Sequence, residues 1–554
     1  MQVFPVTNGQ QPGDLFLQEF DMKIEFLGGV GTVTGSSYLI SDVDFTIMVD
    51  CGMFQGTNEI RNRNYTTQHY MPKKIDALLL THAHIDHSGL IPRLVKNGFY
   101  GNIYATKPTV DLCTVMLPDS GHIQEMDAEY VNKKNLKLHR DPIEPLYTQE
   151  QAEKCMKNFV PVAYNEIIQI NPRVEVRFRD AGHILGSSFI EMWVEEGSRK
   201  TKIVFSGDIG PKSQAIICDP DIVDDADILL IESTYGDRLH KNKEDTYNEF
   251  MNIILESHNK QGNIIIPAFA IERTQEIIYT LSNLFREKKI PTIPVYIDSP
   301  LAISATEIFK KNRECFDEEM QKIILSGNSP FEFPNLHYTR TMDESKWLNT
   351  EAKGSIIISA NGMCTAGRIK YHLKYNLYRP ESSIVFVGFQ AEGTLGRRLI
   401  EGAKQVRVYG ADVAVNAKIY TLGGFSAHAD RNGLLDWVRN IKNPKLKVFV
   451  VHGEESSAHS FADALKTELG LSAYVPQWGE SIDLSTMKSE IATYKKIEPS
   501  PALDKELDSL SQSVKTLIEK YSKVKNAKNL GTIDKIRDDI QDVKEMLKMI
   551  IDEL

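Results

Sequence analysis

Cysteine is sparse and dispersed in this chain. Cys51, Cys113, Cys155, Cys218, Cys315 and Cys364 form no C-x-x-C pair and no dense framework. That excludes a disulfide scaffold and points to a reducing, cytoplasmic setting. Long apolar runs are missing too: none approaches the roughly 20 residues of a membrane-spanning helix, so no membrane role is expected. The first 21 residues carry neither the basic nor the apolar segment of a signal peptide. Without a leader, the terminal Ile551-Asp552-Glu553-Leu554 only resembles an ER-retention signal by coincidence. Positive charge is also short. Lys and Arg total 64 against 75 Asp and Glu, a net charge of −11, unlike a generic nucleic-acid binder. One basic groove can still coexist with acidic outer faces. What remains is ordinary globular composition, 42% hydrophobic and 25% charged. At 554 residues the chain exceeds one core, and roughly two to four domains are expected.

The densest chemistry lies in Leu78-Leu79-Leu80-Thr81-His82-Ala83-His84-Ile85-Asp86-His87-Ser88-Gly89. An apolar run reads as a buried strand, and the polar cluster as the loop leaving its C-terminal end. In open α/β sheets that edge is where ligand sites form. Imidazoles and a carboxylate this close suit zinc or a similar first-row ion. Four donors in one loop exceed what one tetrahedral ion takes from a single segment. Two neighbouring metals sharing the loop are therefore expected, each completed from elsewhere. The bland alternative, a loop of solvated histidines, fits poorly directly after an apolar strand.

Residues 1–21 read as an arm. Strands are expected at Lys23–Leu27, Ser36–Ile40 and Phe45–Val49, the last ending at Asp50, which alone reads equally as a turn aspartate. A helix is expected over Ser88–Asn97. Helical periodicity then covers about Thr109–Asn158, with breaks at Pro118, Pro142 and Pro145. His183 lies in a Gly-flanked loop, and Asp208 and Glu232 each follow an apolar strand. An acid so placed can bridge two metals or hold a ligand histidine in one tautomer.

From about Asp237 to Lys418 the text becomes a second α/β unit. Its strand ends carry Arg273, Thr274, Ser299, Gly362 and Arg368 into helix N-termini, an arrangement suited to anions, although each could be ordinary capping. Two histidines follow, His428 after Gly-Gly-Phe-Ser-Ala and His452 after Val448-Phe449-Val450-Val451. The second run resembles that before His82, and the same sheet is expected for both. After Pro499, apolar residues at alternating spacings of four and three predict a helical hairpin over 500–554, turning at Asn526–Gly531. It folds on itself, or joins a protein partner or a second copy.

These motifs resemble those of the metallo-β-lactamase fold, and Glu232, His428 and His452 resemble the extra motifs of its β-CASP branch. The similarity spans about Met22–Glu490, and the chain resembles the bacterial and archaeal RNA-processing relatives of the mRNA 3′-end cleavage endonuclease. The resemblance implies an α/β fold: an αββα sandwich (22–236 and 419–490), an inserted β-CASP cap (237–418), and the added hairpin. It implies two zinc ions, with manganese as the alternative. His82, His84 and His183 would bind one, Asp86, His87 and His452 the other, and Asp208 both. Asp50 and Glu232 would support these ligands, with Glu232 orienting His428. A histidine at the position of His452 accompanies RNA substrates in this branch. Asn361 and Ala366 depart from the relatives' Ser and Gly, and no KH domain of the archaeal type precedes Met22.

The implied function is hydrolysis of single-stranded RNA by a hydroxide that two zincs activate, in a cleft between the two domains. Asp86, Asp208, His428 and Glu232 would serve catalysis, with His428 protonating the leaving oxygen. Arg273, Thr274, Ser299, Gly362 and Arg368 would contact phosphate from the cap. Family habit favours a homodimer. The rivals are a (thio)ester hydrolase of the same fold, a non-catalytic scaffold subunit, and a nuclease subordinate to a larger assembly.

Overall fold

Val174–Asp180 alternates buried and half-buried side chains, whereas Ile228–Ile231 is buried throughout. The first pattern marks an antiparallel strand with one covered face, the second a parallel strand covered on both. Both patterns recur through the computed structural model of the chain, which describes residues 22–65, 71–137, 140–197, 199–391, 393–491, 501–524 and 540.

Two sheets stack face to face. One runs from Ser489–Ile491 through Glu480–Asp483, Lys23–Gly28, Ser37–Ser41, Thr46–Val49, Ala77–Leu79 and Asn102–Thr106 to Phe159–Val162. The other runs in the order Ala473–Tyr474, Lys447–Val450, Ile228–Ile231, Arg199–Phe205, Ser188–Glu196, Val174–Asp180 and Ile167–Asn171. Ile24, Phe26, Ile40 and Val49 of the first meet Phe178, Ile190, Phe205 and Phe449 of the second. Each such buried side chain contributes roughly 1.5–3 kcal/mol. Helices cover both outer faces. Leu112 and Met116 of Lys107–Lys137 join Leu78 and Ile103. On the far side Leu434 and Trp437 of Arg431–Val438, with Phe461 of Glu455–Leu469, join Val204 and Leu229. The result is the expected αββα sandwich.

A third sheet has the order Leu336–Tyr338, Val295–Ile297, Ile356–Ser359, Ile264–Pro267, Ser383–Phe386 and Lys418–Thr421, its last strand running three residues past the expected end of the cap at 418. All its pairings are parallel. Ile264 and Ile266 pack with Ile277, Leu281 and Phe309 on one face, and Ile265 packs with Leu373 and Leu399 on the other. Lys107 Nζ donates to Asn312 Oδ1 at 2.9 Å, tying the sandwich to this unit.

Three expectations are revised. The strand before His452, Lys447–Val450, is not in the sheet of Ala77–Leu79; it pairs in parallel with Ile228–Ile231 in the facing sheet. An all-apolar run reports burial on both faces and does not say which sheet it joins. Pro118 does not break its helix, which runs unbroken over Lys107–Lys137. The buried stripe Leu112, Met116 and Leu117 outweighs the one hydrogen bond a proline removes. The helix expected at Ser88 begins earlier, as a turn over Ile85–Ser88, and resumes at Ile91–Lys96.

Residues 491–554 form a separate compact unit. Pro501–Val524 is helical as expected, while the hairpin turn and nearly all of its second helix lie outside the described residues, as does the arm 1–21. No helix among the described residues is long and apolar enough to cross a membrane.

Candidate metal centre

Strands of both sheets end at one place. Ala77–Leu79 gives way to Thr81, His82 and His84, and the turn Ile85–Ser88 carries Asp86 and His87. Thr46–Val49 ends at Asp50, whose backbone is left-handed (φ +59°). In the facing sheet Arg199–Phe205 leads to Asp208, Ile228–Ile231 to Glu232 and Lys447–Val450 to His452, also left-handed (φ +44°). His183 sits in the loop between Val174–Asp180 and Ser188–Glu196, and His428 precedes the helix Arg431–Val438. Such backbone strain persists only where surrounding structure enforces it, and it gathers at functional sites.

The outward nitrogens of four rings are tied down. His82 Nδ1 lies 3.0 Å from Thr81 Oγ1 and His87 Nδ1 2.7 Å from Asp50 Oδ2. His183 Nδ1 lies 2.8 Å from Ala427 O and His452 Nδ1 2.7 Å from Ser36 Oγ. Asp50 also accepts from the Thr81 N–H and hydroxyl, both at 2.8 Å. Fixing one nitrogen aims the other, and every Nε2 so aimed points at Asp208.

Around Asp208 Oδ2 the separations are His82 Nε2 3.4 Å and His183 Nε2 3.5 Å. His84 Nδ1 stands 3.2 Å from His82 Nε2 and 3.1 Å from His183 Nε2. Metal–nitrogen bonds of about 2.0–2.1 Å in a tetrahedron place ligands about 3.3–3.4 Å apart. The four donors therefore fit one zinc-sized ion. Asp208 Oδ1 faces the other way, 3.3 Å from His87 Nε2 and 3.6 Å from His452 Nε2. Asp86, His87 and His452 form a second group whose donor atoms lie within 4.8 Å of one another. Both Asp208 oxygens and His87 Nε2 are buried with no hydrogen-bond partner, a costly condition that a bound cation relieves. The residues fit two metals sharing one carboxylate.

Electrostatics agree. Burial opposes ionisation of Asp208, yet His452, His87, His428 and His82 hold its carboxyl well below the usual range. Burial pushes Asp86 up to about 6 despite the nearby His87. Burial, with neighbouring imidazoles, keeps His82 and His183 well below their ordinary value. His428 differs. Its Nδ1 lies 3.1 Å from Glu232 Oε1 and 3.9 Å from Asp208 Oδ2. Burial acts against its charge, but Glu232 and Asp208 raise it to about 9. Glu232 is itself fixed by the Ile209 N–H at 2.8 Å.

Comparison with known proteins matches this chain to three domain families: metallo-beta-lactamase superfamily over 30–118, Beta-Casp domain over 274–399, and Zn-dependent metallo-hydrolase RNA specificity domain over 412–476. It is 35% identical over 461 residues to Ribonuclease TTHA0252 of Thermus thermophilus, covering 83% of this chain and 100% of that protein. The chain belongs to the β-CASP branch of the metallo-β-lactamase superfamily. Two further relatives come from Methanocaldococcus jannaschii. Its RNase J-like protein is 31% identical, over 82% of this chain and 98% of the relative. Its transcription termination factor FttA is 29% identical, over 83% and 71%.

The β-CASP residues expected to meet phosphate divide in two. Thr274 Oγ1 donates to Phe269 O at 2.7 Å, and a Cβ on Gly362 would stand 2.9 Å from the Phe269 ring. The Phe269 ring lies 6.2 Å from that of His84, so these two sit beside the metal centre. Buried Arg273 opens the same helix and pairs with Glu276. Ser299 and Arg368 belong to another cluster. Ser299 Oγ caps its helix by accepting from Ala302 N at 3.2 Å, and Arg368 donates to Asp298 Oδ1 at 2.7 Å. Asp298 Oδ2 is held by His372 and Ser345 at 2.7 and 2.6 Å. Sequence reasoning missed Ser36, Thr81 and the Ala427 carbonyl as ring anchors. Thr81, adjoining His82, was the one with a local signal.

Proposed function

We propose that the protein is a metal-dependent ribonuclease acting on single-stranded RNA in the cytoplasm. The observation that carries this reading is the convergence of His82, His84, Asp86, His87, His183 and His452 on the unpartnered Asp208 carboxylate, with the Glu232–His428 pair alongside. These seven residues would hold two zinc ions (or manganese), which would supply charge neutralisation for a phosphodiester and acidify water toward a pKa of about 7. Asp50 and Glu232 orient their imidazole partners. Glu232 occupies His428 Nδ1, which leaves Nε2 to pass the proton to the leaving oxygen. Arg273, Thr274 and Gly362 are the phosphate contacts at the metal centre, and Ser299 and Arg368 act from the β-CASP side.

In this reading 22–236 and 419–490 form the lactamase-like domain, 237–418 the β-CASP domain, and the cleft between them receives the strand. Residues 500–554 mediate assembly with a second copy or a partner. The exposed Val514 and Leu517 of the helix Pro501–Val524 favour this. Incubation with 5′-labelled RNA, the matching DNA and a generic thioester tests the substrate. RNA-only cleavage is expected. Thioester hydrolysis without RNA cleavage would contradict it.

A further inference from the structure

Beside the metal centre lies a small apolar cluster separate from the main cores. Buried Val33, Met363 and Ala391 form it, and half-buried Phe269 and Phe389 pack against it. Val33 comes from the turn after the first strand, whereas the other four come from loops of the β-CASP unit. Its aromatic rim reaches the metal centre from two directions. The Phe269 ring lies 6.2 Å from His84. The Phe389 ring meets Tyr235 edge-on at 6.0 Å and 88°, and Tyr235 lies 6.2 Å from His428. Phe269 rests over two glycines: a Cβ on Gly362 would stand 2.9 Å from its ring, and one on Gly388 3.8 Å. The chain thus keeps two partly open aromatic rings, backed by apolar side chains, one beside His84 and the other joined to His428 through the Tyr235 ring.

A phosphodiester held at Asp208 would bring a flanking base near this rim. Bases have apolar faces that stack on aromatic rings whatever their sequence, and unpaired strands are held this way. Resting on the ribonuclease reading above, we infer that Phe269 and Phe389 form a stacking site for a nucleobase adjoining the scissile phosphate. The site positions substrate and is sequence-tolerant, since the cluster itself brings no hydrogen-bonding side chain. Stacking, not charge, would align the strand at this point.

The test uses Phe389→Leu and Phe269→Leu, which keep apolar volume and remove the ring, checked for unchanged zinc content and melting temperature. RNA with one abasic nucleotide beside the cleaved bond should lose roughly 5- to 150-fold in kcat/KM with the wild type, the range that one stacked base gives. Phe389→Leu should lose a similar factor on ordinary RNA and little more on the abasic strand. A 2-aminopurine at that position should be quenched on binding to Asp208→Ala and less so on Asp208→Ala/Phe389→Leu. Cleavage of RNA by the wild type with no abasic penalty, or an equal penalty in wild type and Phe389→Leu, would overturn the stacking site alone. No RNA cleavage by the wild type would remove the ribonuclease reading and this inference with it.

Discussion

Two strand-end clusters, each built around a buried aspartate, face different fates. Asp298, on the β-CASP sheet, spends its carboxylate on Arg368, His372 and Ser345. Asp208, on the lactamase sheet, has five imidazoles within 4 Å and no hydrogen bond to either oxygen. Both lie at C-terminal edges of parallel strands, where function concentrates. The difference is saturation. A buried carboxylate fully satisfied by its own fold is structural, whereas one held open by neighbours anchored elsewhere is arranged for something that the chain itself does not supply.

This contrast breaks or holds under substitution. The largest effect should come from Asp208→Ala, which removes the proposed shared ligand; RNA cleavage should fall below detection in a single-turnover assay. His428→Ala should lose about 10²–10⁴-fold in turnover, the contribution of a positioned acid, with metal content unchanged by mass spectrometry. An emptied metal site would instead make His428 a ligand. Asp298→Ala should cost about 3–5 kcal/mol in urea denaturation, because it leaves Arg368 unpaired, while metal content stays at the wild-type level.

The smallest effect concerns a contact between the sandwich and the β-CASP region. Glu272 Oε2 accepts from the Leu185 N–H at 3.0 Å, two residues beyond His183. Burial, with Glu276 adding, pushes its carboxyl from 4.5 up to about 8. A carboxyl raised in this way supports the fold while protonated: its contribution is full below about 4.5 and is lost as pH rises through about 8. Thermal melts should show Glu272→Gln narrowing the stability lost between pH 5 and 8.

The residues that gather around Asp208 were legible because their signals are local. His-x-His-x-Asp-His follows its strand directly, and Asp208 and Glu232 each follow an apolar run. The αββα and β-CASP architecture followed from the same motifs through family resemblance. What stayed hidden depends on distant parts of the chain. Ser36 meets His452 across 416 residues, and the Ala427 carbonyl meets His183 across 244. No periodicity encodes such meetings. Lys447–Val450 was assigned to the wrong sheet because facing sheets bury identical runs and bring their ends to one site. The pairing of Arg368 with Asp298, which spans 70 residues, was hidden for the same reason.

The most direct test of the central claim is metal stoichiometry of the purified protein and of Asp208→Ala, measured by plasma mass spectrometry after equilibration with zinc. About two ions per chain are expected for the wild type, with clear loss in Asp208→Ala although the fold, judged by circular dichroism, persists. Equal metal content in the two proteins would mean that the open carboxylate at the centre of the cluster holds no metal, and the account would be wrong at its core.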